Sequence, residues 1–176
     1  MNRWLIWVPL AAFALIFAVV AFGLRTTPDD RLIHSGMIGK QIPAIALPAL
    51  LADRPGLSSA DLATGKPRLL NIFASWCIPC IAEARQLVAL KQHGVEIDAI
   101  AVRDRPEDVI NFLARYGDPY TRIGDDRQST AQLALGSSGV PETFVIDAHG
   151  KIVDQHIGDI RADDIPKLLA ALEKAK

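Results

Sequence analysis

Cysteine is scarce in this sequence, which contains only Cys77 and Cys80 among its 176 residues. A chain with one cysteine pair is not a scaffold stapled by several disulfides. No second CxxC motif or paired histidines accompany the two cysteines, so a structural zinc site lacks ligands. Methionine is equally rare, with only Met1 and Met37. The chain therefore lacks the methionine-rich surface that would favour a copper(I) carrier.

An excess of charge of either sign is also absent. The chain has 19 lysines and arginines against 20 aspartates and glutamates, a net charge of −1. This balance gives no reason to expect nucleic acid or an acidic substrate as a partner. Because 50% of the residues are hydrophobic, the chain can bury the core of one ordinary domain and still carry an appendage.

The appendage is an apolar segment at the N-terminus. Residues 4–24 contain no charged side chain, and about 20 apolar residues cross a bilayer as a helix. A cleaved signal peptide is the alternative, but its apolar core has about 7–15 residues and ends at a small-residue cleavage site. VVA ending at Ala21 is a poor site of this kind and lies inside the run. We predict an uncleaved transmembrane anchor over residues 1–25.

Charges around this segment predict its orientation. Arg3 and the N-terminal amine precede it, whereas Arg25 follows it and Asp29 and Asp30 come soon after. The positive-inside rule then places the N-terminus in the cytoplasm and the bulk of the chain outside. Residues 26–37 are polar and rich in turn residues, so we predict a linker there and a folded domain over residues 38–176.

Strand and helix patterns alternate along this domain. We predict strands over 68–75, 95–102, 143–147 and 151–157, and helices over 79–94, 104–117, 129–135 and 165–172. Asp104 and Glu107 predict a capping box, and the Asp125–Asp126 pair indicates a solvated loop. The order implies an α/β domain whose mixed sheet has a parallel unit and an antiparallel hairpin, with helices on both faces.

The cysteine pair lies where the first of these strands meets a helix. Two cysteines three residues apart at a helix start are close enough to form a disulfide. The helix amides and the positive end of the dipole favour a thiolate at Cys77, which we expect to be the exposed attacking thiol. Cys80 is expected to resolve the mixed disulfide. A purely structural disulfide is disfavoured because so short a loop gains little from closure. Two unrelated core cysteines are the other alternative.

Several sequence segments carry a family resemblance. WCIPC at 76–80 resembles the active site of the thioredoxin superfamily, and GVPETFVIDAHGKIVDQHIGD at 139–159 resembles the second half of that fold. IGKQIPAIALPAL, GKPRLLNIFASWC and DRPEDVINFLARYGDPY are similar to the DsbE/CcmG (CycY) family of membrane-anchored thioredoxin-like thiol:disulfide interchange proteins. Ile78 and Pro79 also occur in the related TlpA and ResA types, whereas Pro141 and Glu142 favour DsbE/CcmG.

This resemblance implies a fold, a location and a function. It implies a thioredoxin-like fold on the periplasmic side of the bacterial inner membrane, with residues 4–24 as a single-pass anchor. It implies a reductant that takes electrons from a membrane carrier of the DsbD/CcdA kind. Those electrons would pass to the CxxCH cysteines of apocytochrome c for haem attachment during cytochrome c biogenesis. The Cys77–Cys80 disulfide would serve as the redox group, without a metal or other cofactor. The alternatives are a general TlpA-type periplasmic reductase and a copper(I) metallochaperone.

Two further residues are expected at the site, Pro141 from the resemblance and Glu83 from its spacing along the helix. The resemblance implies a cis Val140–Pro141 bond beside Cys77, which would leave the Val140 backbone free to pair with a substrate strand. An ordinary trans bond is the alternative. Glu83 follows Cys80 by three residues and so lies on the same helical face. We expect Glu83 to take the proton of the resolving thiol, or else to be a surface glutamate.

Three positions have less specific expectations. Asn71 stands six residues before Cys77, where thioredoxins carry a buried aspartate, and its amide cannot serve as a proton acceptor. Glu142 is expected to add acidity to the site, or else to be a cross-strand polar residue. Trp76 is expected to cover the site, or else to pack in the core.

Overall fold

The structure of the protein, a computed structural model, describes residues 4–24, with side chains from 7 to 23, and residues 34–176. The chain forms two compact units, residues 1–33 and 34–176. Most of the expected linker lies outside the described residues. Residues 34–37, which were assigned to that linker, belong to the second unit. There the backbone N of Ser35 donates to Gln155 Oε1 at 2.7 Å.

The first unit contains one helix, α1, which spans Trp4–Leu24 and includes Pro9. Its large apolar side chains from Trp7 to Phe22 are exposed. Among helices formed by residues whose side chains are described, none is both long and apolar enough to span a membrane. The anchor expected over residues 4–24 therefore stays a prediction.

A five-stranded mixed sheet forms the centre of the second unit. Its strands are β3 (Arg68–Phe73), β4 (Ile97–Val102), β5 (Ile123–Asp126), β6 (Glu142–Ile146) and β7 (Ile152–Ile157), in the order β5-β4-β3-β6-β7. The strands β3, β4 and β5 are parallel, whereas β6 and β7 are antiparallel to their neighbours. Every residue of β3 and β4 is buried, as their mainly apolar sequences predict, and this includes Asn71 and Asp98. A short hairpin of β1 (Ala46–Leu47) and β2 (Leu57–Ser58) lies outside this sheet.

Helices cover both faces of the sheet, as expected. They are α2 (Ile78–Gln92), α3 (Pro106–Tyr116), α4 (Thr130–Ala134) and α5 (Ile165–Lys174). The core of one face combines Leu87 of α2, Val109 of α3 and Leu168 of α5. The core of the other face includes Leu135, next to α4, and Leu62 of a 3-10 helix over residues 59–62. The pair Cys77 and Cys80 belongs to the first of these cores.

Two local expectations were wrong. Asp104 does not cap α3, because Arg105 is the N-cap residue and no side chain caps the helix. The Asp125–Asp126 pair is not a solvated loop: both residues belong to β5, and Asp126 is buried. Its Oδ1 accepts from the backbone N of Thr130 at 2.8 Å, at the start of α4. The sequence IGDD has little strand propensity, and pairing with β4 overrides it.

Candidate active site

The cysteine pair lies at the junction of β3 and α2. Cys77 is the N-cap residue of α2, and its Sγ accepts from the backbone N of Cys80 at 3.2 Å. Pro79 sits in the first turn, where its missing N–H costs no helical hydrogen bond. Cys77 and Cys80 form a disulfide, with their Cα atoms 5.3 Å apart. The sequence-based expectation of a disulfide at the start of a helix is confirmed.

The residues around Cys77 are more exposed than Cys77 itself. Cys77 is 5% exposed and Cys80 is 1% exposed, whereas Trp76 is 59% exposed and Ile78 is 78% exposed. Cys77 is thus the more accessible thiol, but the expectation of an exposed Cys77 is wrong for the disulfide form, since its sulfur is turned towards Cys80. Core packing of Trp76 is excluded by its exposure, and its expected role as a cover of the site stays a prediction.

Glu83 lies on the buried side of α2, together with Cys80 and Leu87. Its side chain is fully buried. Asn71 Nδ2 donates to Glu83 Oε1 at 3.0 Å, and the backbone N of Ile160 donates to Oε2 at 3.2 Å. The alternative of a surface glutamate is therefore wrong.

Burial sets the protonation of Glu83. It raises the pKa of this carboxyl from 4.5 to about 7, although the hydrogen bonds from Asn71 and Ile160 act in the opposite direction. Asp159 adds a smaller repulsion that also raises the pKa. A carboxyl with a pKa near neutrality can both accept and return a proton under ordinary conditions. Its expected role toward the Cys80 thiol remains a proposal.

Asn71 joins Glu83 to two other buried side chains. Tyr120 Oη donates to Asn71 Oδ1 at 2.7 Å, and Asn71 Nδ2 also donates to Thr143 Oγ1 at 3.0 Å. Asn71 and Thr143 are direct partners in the β3–β6 register. The sequence analysis missed Tyr120, since it lies in the loop before β5, outside any periodic pattern.

The structure confirms the cis peptide bond between Val140 and Pro141. Pro141 directly precedes β6, and its carbonyl accepts from the backbone N of Gly158 at 3.0 Å. Val140 is half-buried and packs against the cores on both faces of the sheet. The expected pairing of its backbone with a substrate strand stays a prediction.

Glu142 is the site residue that the structure does not bring to the cysteine pair. Side chains alternate along β6, so Glu142 shares the face of Phe144, which is opposite to the face of α2. Its Oε1 accepts from Ser138 N at 2.9 Å and from Ser138 Oγ at 2.6 Å, and Oε2 accepts from Gln155 Nε2 at 2.8 Å. These contacts hold the loop before Pro141. The expected contribution of Glu142 to the acidity of the site stays a prediction.

Metal ligation has no structural support in the described part of the chain. No group of three or more histidine, cysteine, aspartate or glutamate side chains there is arranged so that it could hold a metal ion. His149 is exposed, and His156 Nε2 lies 3.3 Å from the carbonyl oxygen of Asp159.

A CxxC disulfide at the start of a helix, on a thioredoxin-like α/β fold, defines a thiol-disulfide oxidoreductase. Residues 37–172 match the Redoxin family. The chain belongs to the DsbE/HelX family of thiol:disulfide interchange proteins within it. It is 38% identical to HelX of Rhodobacter capsulatus, with 98% of this chain and 97% of HelX covered. It is 39% identical to DsbE of Pseudomonas fluorescens biotype C, over 100% of this chain and 99% of that protein.

Solved structures agree with this assignment. A thiol:disulfide interchange protein of the thioredoxin family from Chlorobium tepidum is 26% identical, with a TM-score of 0.61, over 77% of this chain and 94% of its own. A secreted thiol-disulfide isomerase from Corynebacterium glutamicum is 22% identical, with a TM-score of 0.63, over 76% of this chain and 86% of its own. The second similarity concerns the fold alone.

Proposed function

We propose that this protein is a periplasmic reductant of the CxxCH cysteines of apocytochrome c, which prepares them for haem attachment. The observation that carries the proposal is the buried Glu83, on the same side of α2 as Cys80, in a chain of the DsbE/HelX family. The resemblance of WCIPC and PETFVID to the DsbE/CcmG family supports the choice of client.

The reaction consists of two thiol–disulfide exchanges. The Cys77 thiolate attacks one sulfur of the oxidised CxxCH segment, which forms a mixed disulfide and releases the other client cysteine as a thiolate. Glu83 accepts the proton of Cys80, and the Cys80 thiolate attacks Cys77 Sγ. The second client thiolate leaves, and the Cys77–Cys80 disulfide forms. Two electrons have passed to the client.

The surroundings of the pair favour donation of electrons over their withdrawal. A helix N-terminus stabilises a nearby thiolate, typically by about 0.3–1 kcal/mol, and so favours the reduced pair. A buried carboxylate repels thiolate charge through a medium of low dielectric constant, which disfavours the reduced pair. Because Glu83 is fully buried, we assign the larger effect to its ionised form, which predominates above the raised pKa of about 7. A pair whose reduced form is destabilised is a stronger reductant.

The proposal also includes a place in the cell. Residues 4–24 would anchor the protein in the bacterial inner membrane with the domain in the periplasm, where Arg3 before the segment supports this orientation. A membrane thiol carrier of the DsbD/CcdA kind would then reduce the Cys77–Cys80 disulfide after each turnover.

A trapping experiment tests the client. In the full-length Cys80→Ser variant, Cys77 can form the mixed disulfide but no second thiol resolves it. We expect this variant to accumulate mixed disulfides with oxidised CxxCH peptides of apocytochrome c, and to trap unrelated oxidised proteins far less. The matched Cys77→Ser variant keeps one thiol of the pair but lacks the attacking one, and should trap neither.

The outcomes separate the alternatives. Equal trapping of CxxCH peptides and unrelated oxidised proteins would replace the dedicated role by a general reductase of the TlpA kind. Absence of trapping by Cys80→Ser, with tight copper(I) binding by the unaltered chain, would favour the metallochaperone instead.

A further inference from the structure

We propose that Tyr120 is a positioning residue: through Asn71, it holds the Glu83 carboxylate in the state that accepts the Cys80 proton. The inference rests on the role proposed above for Glu83. Tyr120 does not touch the reacting sulfur atoms, and it acts through two hydrogen bonds in series.

The three side chains form a continuous buried chain of hydrogen bonds. Tyr120 Oη donates to Asn71 Oδ1 at 2.7 Å, and Asn71 Nδ2 donates to Glu83 Oε1 at 3.0 Å. Tyr120 is 7% exposed, whereas Asn71 and Glu83 are fully buried. Water therefore has little access to replace a missing partner.

The amide of Asn71 is fully occupied in this arrangement. A primary amide offers two N–H donors and one oxygen acceptor. The two donors serve Glu83 and Thr143, and the oxygen accepts from Tyr120. Rotation of the amide by half a turn would turn its oxygen towards Glu83. Only a protonated carboxyl could then donate a hydrogen bond to that oxygen. The phenol therefore favours the orientation that stabilises the ionised Glu83.

Polarisation acts in the same direction. When the oxygen of an amide accepts a hydrogen bond, the hydrogen bonds that its N–H groups donate become stronger, because hydrogen bonds in series polarise one another. Tyr120 thereby strengthens the Asn71 contact, which lowers the pKa of Glu83 against the larger effect of burial. Without the phenol, a larger fraction of Glu83 is protonated.

The other charged groups around this chain are compatible with the role. Burial raises the pKa of Tyr120 well above its ordinary value, with smaller contributions from Glu83 and Asp118, so the phenol keeps its proton and stays a donor. Glu83 accepts from Asn71 of β3 and from the Ile160 amide after β7, and the charge of Asp159 acts on it. Cys80 lies one turn earlier on the same buried side of α2. Of these, only Asp159 brings a further negative charge that acts on Glu83.

The two tyrosines of the chain provide a matched experiment. Tyr120→Phe removes the phenol but keeps the ring, which stacks on Phe73 with centroids 4.9 Å apart. Tyr116→Phe removes the same group from a ring that packs on Phe112, and within the described residues the Tyr116 hydroxyl has no hydrogen-bond partner. The measurement is a carboxyl ¹³C NMR titration of Glu83 in the reduced full-length chain.

We expect the Glu83 midpoint to rise in Tyr120→Phe by up to about one pH unit, the limit reached if the Asn71 amide turns and its charge-assisted hydrogen bond to Glu83 is lost. The midpoint should stay unchanged in Tyr116→Phe. The rate of mixed-disulfide resolution with oxidised glutathione should shift along the pH axis by the same amount. Equal midpoints in the unaltered chain and in Tyr120→Phe would overturn the inference, as would an equal rise in both variants.

A measurement on the unaltered chain covers the case in which Tyr120→Phe fails to fold. The side-chain amide signals of Asn71 should titrate with the midpoint of the Glu83 carboxyl, and an Asn71 amide insensitive to that titration would also overturn the inference. Neither experiment uses a cytochrome peptide. A failure of client trapping alongside a shifted Glu83 midpoint would therefore refute the proposed client and leave the role of Tyr120 intact.

Discussion

The Asp104 carboxylate accepts two hydrogen bonds from Ser75, one from its backbone N at 2.5 Å and one from its Oγ at 2.7 Å. Asp104 follows β4 and Ser75 follows β3, and these parallel strands end at the same edge of the sheet. Asp104 is only 5% exposed. It thus ties the segment that leads to Cys77 onto the neighbouring strand.

Asp104→Ala should therefore destabilise the protein and slow its reaction. Loss of charged hydrogen bonds in a buried place typically costs about 2–3 kcal/mol, and chemical denaturation would measure it. The initial rate of disulfide exchange should fall as well, because Ser75 lies two residues before Cys77. Asp108→Ala is the matched control, since its ion pair with Arg105 is on the surface and such pairs contribute less than about 1 kcal/mol. Equal losses of stability and exchange rate in both variants would show that the hydrogen bonds between Asp104 and Ser75 do not hold this segment in place.

Alkylation should distinguish the two thiols of the reduced protein. Cys77 is the N-cap residue of α2 and the more accessible of the pair, whereas Cys80 is 1% exposed. Helix-terminus amides favour the Cys77 thiolate. Iodoacetamide followed by peptide mass spectrometry should find the label on Cys77, and a label mainly on Cys80 would reverse the assignment of attacking and resolving thiols.

Glu83 should make the stability of the protein fall as the pH rises. Burial raises its pKa from 4.5 to about 7 in the folded chain. Below the lower value both the folded and the unfolded chain hold the proton. Between the two values only the folded chain holds it, so stability decreases until the folded carboxyl ionises near pH 7. The decrease amounts to about 3 kcal/mol.

Glu83→Gln tests this expectation, because glutamine does not titrate. The free energy of unfolding of the variant relative to the unaltered protein should rise by about 3 kcal/mol from acidic pH to pH 8. Glu173→Gln alters a glutamate on the surface of α5, paired with Lys176, and should show no such rise. The same Glu83→Gln variant should resolve mixed disulfides slowly while its Cys77 alkylation changes little. Parallel stability curves for Glu83→Gln and the unaltered chain would exclude a raised Glu83 pKa.

Glu142→Gln should act on the loop before Pro141. The carboxylate accepts hydrogen bonds from both the backbone and the hydroxyl of Ser138 and from Gln155, and an amide with one oxygen cannot satisfy all of these donors. We expect a loss of about 2 kcal/mol in stability, with an unchanged pH profile of Cys77 alkylation. A shifted alkylation profile would instead support the acidic role predicted from the family resemblance.

Local sequence determined much of this protein. Residues 68–73 and 97–102 form central parallel strands because short, mainly apolar segments suit a strand covered on both faces. The cysteine pair followed by Pro79 placed the reactive site at a helix start, because those residues are compatible with an N-cap and a first turn. The resemblance around Pro141 led to the correct cis bond.

Only the tertiary structure decided the surroundings of that site. Helical spacing put Glu83 on the face of Cys80, but whether that face is buried depends on Asn71 and Ile160, which come from distant parts of the chain. Tyr120 and Asp104 lie in segments without periodicity, and their partners are 49 and 29 residues away. The sequence leads us to expect that Glu142 adds acidity to the site, and only the fold puts it on the face of Phe144, opposite to α2. Spacing within one element is a local property, whereas burial and hydrogen-bond partners arise from the packing of several elements.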